Sequence, residues 1–396
     1  MSIAVYQVQS PLAHYSQDHT KAWLKAVEDH LPEKLETVDI ETYKSRPFGL
    51  VFVASGGSEA LFLENFHHFK DRPVYILTSG ESNSLAASME ILAYLKQHGK
   101  RGEILHGSAE DVARRISALH AALNAKSQLN GMRLGIVGDR SDWLIASSED
   151  GQAYKDKLGI TLVKISMDEL LAEYKKGGYP ESKWTEKLKS MGYDAQEMEK
   201  SLNIYGAFRR LCDKYDLKGM TVRCFDLLTS VKSTGCLGLA ILNAEGYLGG
   251  CEGDVPSLIS MAILRAVSGK SVFMCNPSRI DTKAGEMVLA HCTLPLDMPT
   301  QMHLTTHYES GIGVAIAGHI SEEVATIFKT SCDLKRYFAK AGLITANLHE
   351  THLCRTQIKL KLDDFSYFLT DPIQNHHLVT LGDHTAALQE LFRQID

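Results

Sequence analysis

No cysteine precedes Cys212, and all eight fall between Cys212 and Cys354 without a CxxC pair or any short regular spacing. That pattern excludes a zinc ribbon and a disulfide framework, leaving free buried thiols in a reducing compartment as the expectation. Long apolar runs are missing too. No stretch of about eighteen apolar residues occurs, and the first residues, MSIAVYQVQSPL, lack a basic leader region; a cytoplasmic chain without membrane association is expected. There is no long basic run, and the formal net charge is −6, so nucleic acid is not an expected partner. No GxGxxG follows the first strand-like segment and no GxxxxGK[ST] occurs anywhere, which argues against nicotinamide and P-loop chemistry.

What is present is apolar sequence in two rhythms. With 396 residues, 44% of them hydrophobic, the chain is long enough for two or three domains with full cores. Over residues 1–131 short apolar segments (IAVYQV, GLVFVAS, PVYILT, GEILH) alternate with helical patterns near 17–30, 58–69, 83–97 and 108–126. Such alternation predicts βαβ units and a doubly wound parallel sheet, whose ligands sit beyond the carboxyl ends of the strands. SGGSEA is at one such end, where Gly56, Gly57 and Ser58 either present N–H groups to a polar ligand, with Glu59 beside them, or simply open a helix. A second α/β domain is expected over 132–268; within it residues 148–217 read as mostly helical, and a strand is expected over 219–228. Past residue 269 short strand-like segments joined by turns predict an antiparallel barrel or sandwich over 269–396, closed by the helix HTAALQELFRQI.

The most informative stretch is LGGCEGDVPSLISMAILRAV, residues 248–267. Its glycines suggest a tight loop carrying Glu252 and Asp254. Pro256 then suits a first helical turn, and Leu258, Ile259, Ala262, Ile263 and Ala266 form an apolar stripe at helical spacing. One acid suffices to cap that helix, so Asp254 is either a cap or a functional acid, while Glu252 is in excess of capping needs. Asp226, at the end of the preceding strand, is a candidate neighbour.

Histidine is concentrated late in the chain, nine of 17 following residue 290. Glu252 with His291 and His376 or His377 would give an oxygen and nitrogen donor set for a divalent ion, Mn²⁺ or Mg²⁺ before zinc, able to activate a sugar. Arg279 with Asp281 in NPSRID either meets substrate or forms a turn with an internal ion pair. Arg355 either binds an anionic group or pairs with an acid in the barrel.

GYLGGCEGD before an apolar helix, SVFMCNPSRID, VLAHCTLP, HYESGIGVAIAGH, CRTQIKL and the terminal NHHLVTLGDH, in this order, resemble the L-fucose isomerase and L-arabinose isomerase superfamily, above all its shorter fucose-isomerase-like members. The likeness covers the last 180 residues or so well and the first 130 mainly through SGGSEALFL and NSLAASMEILAYL. It implies two flavodoxin-like or Rossmann-like parallel-sheet domains followed by a C-terminal antiparallel β-barrel-like domain. It also implies trimers or hexamers with active sites near subunit interfaces, and aldose–ketose isomerisation of a small sugar through a cis-enediol with Mn²⁺, Mg²⁺ or Co²⁺. By residue, it implies metal ligands Glu252, His291 and His376, with His377 as the fallback, and Glu252 doubling as base. Asn276 and His307 are further candidates for substrate binding; His307 belongs with Glu309 and Gly311 to HYESGIG, which resembles a family pattern to which no role is assigned.

One position departs from that pattern. Where the superfamily places a second metal-binding acid, this chain has Cys275 and Asn276, and Asp254, Asp226 or Asp281 would have to substitute. A sugar-binding protein without turnover, or a lyase or epimerase of the same fold, is therefore kept beside the isomerase reading.

Overall fold

The computed structural model describes residues 2–11, 17–69 and 72–395. The chain divides into two compact units, Met1–Leu123 and Asn124–Asp396. It is a mixed α/β protein with two parallel sheets and a closed antiparallel barrel.

The first unit is built on β1 (Ile3–Val8), β2 (Leu35–Val38), β3 (Gly49–Val53), β4 (Val74–Leu77) and β5 (Gly102–Leu105). All pair in parallel in the order β2-β1-β3-β4-β5. β3 is buried along its whole length, because helices cover both faces of such a sheet and every position of a central strand must be apolar. β2, a short edge strand with the sequence LETV, was not visible as a strand in the sequence because an exposed edge carries no apolar run.

The second unit begins with β6 (Arg133–Val137), β7 (Thr161–Ile165), β8 (Gly219–Val222) and β9 (Leu248–Cys251), parallel in the order β7-β6-β8-β9. Two expectations are corrected here. β7 interrupts the stretch read as helical, and residues 248–251 are a strand rather than a loop, each pairing with β8. The expected strand over 219–228 ends at Val222, and Asp226 opens a short helix, Asp226–Ser230.

The barrel follows, from β10 (Phe273–Asp281), β11 (Glu286–His291), β14 (Val324–Thr330), β15 (Tyr337–Asn347), β16 (Thr356–Lys361) and β17 (His377–Leu381). It closes in the order β10-β11-β16-β15-β14-β17, while β12 (Gln301–Thr305) and β13 (Ala315–His319) form a separate two-stranded sheet. Closure removes the unpaired edges that an open antiparallel sheet would leave.

The helix Val255–Ser268 joins sheet to barrel, packing on β9, β14 and β17. Twelve of its 14 residues are buried, so the stripe expected from the sequence is in fact apolar nearly all round. Burial of each large side chain such as Leu258, Ile259 or Ile263 contributes about 1.5–3 kcal/mol. Its serines are satisfied locally: Ser260 Oγ donates to the Pro256 carbonyl at 2.7 Å and accepts from the Thr330 N–H at 3.2 Å.

Candidate metal centre

Glu252 directly follows β9 with φ of +65°, a left-handed conformation that a residue with a Cβ adopts at a cost. The loop is held there from two sides. The Glu252 carbonyl accepts from the Ser141 N–H at 2.8 Å, and the Gly253 N–H donates to the Val222 carbonyl at 3.0 Å. Gly253 is a glycine for a packing reason as well: φ is +68°, and a Cβ would meet the Asp139 carbonyl oxygen at 2.4 Å.

His291 ends β11, while His376 immediately precedes β17. Register sets both at one end of the barrel, since Ala290 pairs with Asn276 and His377 pairs with Cys275 on the intervening β10. Their ring centroids are 5.6 Å apart. One donor atom each from Glu252, His291 and His376 lies within 4.8 Å of the others, and all three residues are buried. Glu252 Oε1 is 3.5 Å from His376 Nε2 and 3.9 Å from His291 Nε2. These separations are too long for good hydrogen bonds. They suit two ligands of one ion, whose bonds of about 2.0–2.2 Å separate neighbouring donors by roughly 3–4 Å.

The next layer aims the donors. His376 Nδ1 is 2.8 Å from Asp254 Oδ2; an ionised acceptor there fixes the proton on Nδ1 and turns Nε2 toward Glu252. That Nε2 is buried and has no hydrogen-bond partner. His291 Nδ1 is 3.0 Å from Thr293 Oγ1, and the Trp143 indole donates to Glu252 Oε2 at 2.6 Å. Asp254 also caps the following helix, its Oδ1 accepting from the Ser257 N–H at 3.0 Å. Its other oxygen accepts from Ser257 Oγ at 2.7 Å and is 3.9 Å from Lys329 Nζ, which in turn donates to Ser257 Oγ at 2.6 Å. Asp254 and Lys329 are both fully buried. Asp254 is thus helix cap and histidine-orienting acid at once.

Burial alone would raise the Glu252 carboxyl, but His376, His291 and the Trp143 indole hold it down to about 2. Asp254 is likewise driven up by burial and more strongly down by Lys329, His376 and Ser257, to well below the usual carboxylate range. Without a metal, His376 is pushed down by burial but raised to about 9 by its two carboxylates, whereas burial and the neighbouring His376 charge lower His291 to about 4.

Other predicted residues lie in varied settings. Asp226 is half exposed and paired with Arg223 at 3.2 Å, and Asp281 caps the turn after β10, accepting from the Lys283 and Ala284 N–H groups. Neither carboxylate joins the cluster. The Cys275 thiol is fully buried, donates to the His377 carbonyl and is shifted upward by burial; Asn276 accepts from Asn375 at 3.3 Å. His377 contacts the Tyr367 hydroxyl at 3.0 Å and is lowered to about 3, chiefly by burial, so His376 rather than His377 faces Glu252. Arg279 forms a two-pronged pair with Glu350 at 2.6 and 3.1 Å, a partner in the loop after β15 rather than the ion pair within the NPSRID turn weighed from the sequence. Arg355 donates to the Thr306 carbonyl and hydroxyl. His307 contacts Ser310 and Glu309 at 3.0 and 3.4 Å, and Phe225 edge-on. In the first unit Ser58 is buried and its hydroxyl donates to the Ser55 carbonyl, Glu59 begins a helix, and the Gly56 N–H is already given to the Ser82 carbonyl.

Two residues escaped the sequence reading, and a third was named there without a role. Trp143 and Lys329 carry no local motif, one being a lone aromatic after β6 and the other an isolated cation in β14. Glu309 was visible only as part of HYESGIG. Burial and the charge of Glu252 raise its carboxyl, as suits an acid–base group. Beside the cluster, Trp143, Ile145, Pro277, Phe368, Asn375 and His377 line a cavity of about 560 Å³, ample for a sugar.

No family model matches the chain. It is similar to sulfoquinovose isomerase of Priestia aryabhattai and that of Priestia megaterium, 23% identical over 334 residues in each case, spanning 79% of this chain and 74% of theirs. Among the described residues no helix is long and apolar enough to cross a membrane.

Proposed function

We propose that this protein is a metal-dependent aldose–ketose isomerase acting on a small sugar, with Glu252, His291 and His376 as the metal ligands. The observation that carries the reading is the buried His376 Nε2, which lacks a hydrogen-bond partner yet is aimed by Asp254 at Glu252 and His291. The donor set fits a divalent transition ion, since two imidazoles and one carboxylate are a poor match to the all-oxygen preference of Mg²⁺; Mn²⁺ is the ion to test first. Bound there, the ion would polarise the carbonyl and hydroxyl oxygens of an open-chain aldose.

The remaining work falls to side chains. Moving a proton between adjacent carbons needs a carboxylate near the sugar, and Asp254 and Asp226 are committed to His376 with Lys329 and to Arg223 respectively. Glu309, raised toward neutrality and 3.4 Å from His307, is the better partner to Glu252 in that transfer. The name of the similar Priestia enzymes makes sulfoquinovose one aldose to test, beside L-fucose and L-arabinose. Site placement near a subunit interface, in a trimer or hexamer, remains part of this proposal.

The test is metal-dependent exchange of the C1 or C2 hydrogen with solvent, followed by NMR across these aldoses with Mn²⁺ present or chelated. Exchange accompanied by ketose formation supports isomerisation. A melting-temperature rise with sugar but no exchange would favour the binding protein suggested by Cys275 and Asn276, and sugar consumption without ketose would favour a lyase or epimerase.

A further inference from the structure

Outside the Glu252 cluster, a half-buried and an exposed imidazole meet. His319, at the end of β13, and His349, in the loop between β15 and β16, place their Nε2 atoms 2.9 Å apart with ring centroids 4.8 Å apart. This approach is built into the backbone. Asn347 clamps Ile320 from both sides, its Oδ1 accepting from the Ile320 N–H at 2.8 Å and its Nδ2 donating to the Ile320 carbonyl at 2.9 Å. Gln357 fixes the far side of the same loop, accepting from the Glu350 N–H and donating to the Glu350 and Cys354 carbonyls. On the other strand, the Thr300 N–H donates to the His319 carbonyl at 2.8 Å.

Two ligands at right angles, each with a metal–nitrogen bond of about 2.0–2.1 Å, have nitrogens about 2.9 Å apart, against roughly 3.3–3.4 Å for a tetrahedral pair. That spacing lets one ion reach both nitrogens at about a right angle, and among divalent ions the general affinity order for nitrogen donors favours Cu²⁺ and Ni²⁺. His303 on β12 shares the sheet face of His319, diagonal to it through the pairing of Gln301 with His319 and of His303 with Ala317, but it does not complete a three-donor cluster with the pair among the described residues. We propose that His319 and His349 chelate a divalent ion of the copper–nickel type at a second site, independent of the Glu252 cluster.

The experiment is Ni²⁺ titration calorimetry on the untagged full-length protein, with Cu²⁺ electron paramagnetic resonance in parallel. It compares wild type with His349→Ala, His319→Gln and, as control, His352→Ala. His349 is exposed, so His349→Ala is expected to fold with unchanged circular dichroism, and His319→Gln provides an independent route to the same answer. Loss of one bound equivalent and of the two-nitrogen Cu²⁺ signature in both pair variants, with His352→Ala like wild type, is the expected result. Equal stoichiometry and affinity in wild type and both pair variants would overturn the proposal, reducing the contact to an imidazole–imidazole hydrogen bond.

Discussion

His376 and Asp254 are both fully buried and meet through Nδ1 and Oδ2 at 2.8 Å, while the same carboxylate lies 3.9 Å from the buried ammonium of Lys329. Neutralising the acid with Asp254→Asn leaves that cation without its partner, and removing one member of a buried pair costs about 3–5 kcal/mol. Chemical denaturation should show such a loss. The double variant Asp254→Asn, Lys329→Met should recover part of it, because the stranded charge goes too. A double variant no more stable than Asp254→Asn would refute the coupling.

Removing the acid also frees the His376 tautomer. Orienting partners of metal-binding histidines typically contribute about 10–100-fold in metal affinity. Calorimetric titration with Mn²⁺ should show a drop of that size in Asp254→Asn and complete loss of binding in His376→Ala.

The left-handed backbone at Glu252 stores strain that glycine does not feel. In the metal-free protein Glu252→Gly should be more stable than Glu252→Ala by about 1 kcal/mol, the left-handed penalty of a Cβ less the extra chain entropy of glycine. Both should lack the Mn²⁺-induced rise in melting temperature expected of wild type. Equal melting temperatures of the two variants would argue against strain at this position.

Metal binding should release a proton. His376, held at about 9 by its carboxylates, is protonated near neutrality and must lose that proton to coordinate through Nε2. Mn²⁺ affinity should therefore climb as pH rises through 9, and calorimetry in buffers of differing ionisation enthalpy should report net proton release at pH 7.5. In the chelated protein the sign reverses. A histidine raised from about 6.5 contributes stability that is full below that value and is lost as pH rises through 9, a slope that His376→Gln should lack.

Glu309→Gln separates chemistry from coordination. It should reduce isomerase turnover by about 10²–10⁴-fold, the range for an acid–base group, while leaving Mn²⁺ affinity within twofold of wild type. An unchanged turnover would return the proton-transfer role to Glu252 alone.

The sequence by itself made the large architecture legible: apolar runs alternating with 3.6-period helical segments mark the parallel-sheet regions, short strand-like segments without helical stripes mark the barrel, and β1 falls on IAVYQV, of which Ile3, Ala4, Val5 and Val8 are buried. It also carried the helix after Glu252, because Asp254, Pro256 and the stripe from Leu258 are local signals that short-range forces read directly. Edges were less legible. β2 and β7 are short and partly exposed, so their burial pattern leaves little trace, and β9 is glycine-rich because its neighbours approach too closely for side chains, a Cβ on Gly249 meeting the Leu239 carbonyl oxygen at 2.6 Å.

Only the tertiary structure decided what converges. Glu252, His291 and His376 are brought together by the pairing of β10 with β11 and β17 and by a helix seated between sheet and barrel, contacts between residues far apart in the chain that no local pattern encodes. The same long-range packing made the capping Asp254 also the partner of His376 and Lys329, and left Asp226 at the start of a short helix and Asp281 in a turn, away from the cluster. Spacing along the chain names donors, but a donor's role depends on which buried atoms it faces, and burial is a property of the folded whole.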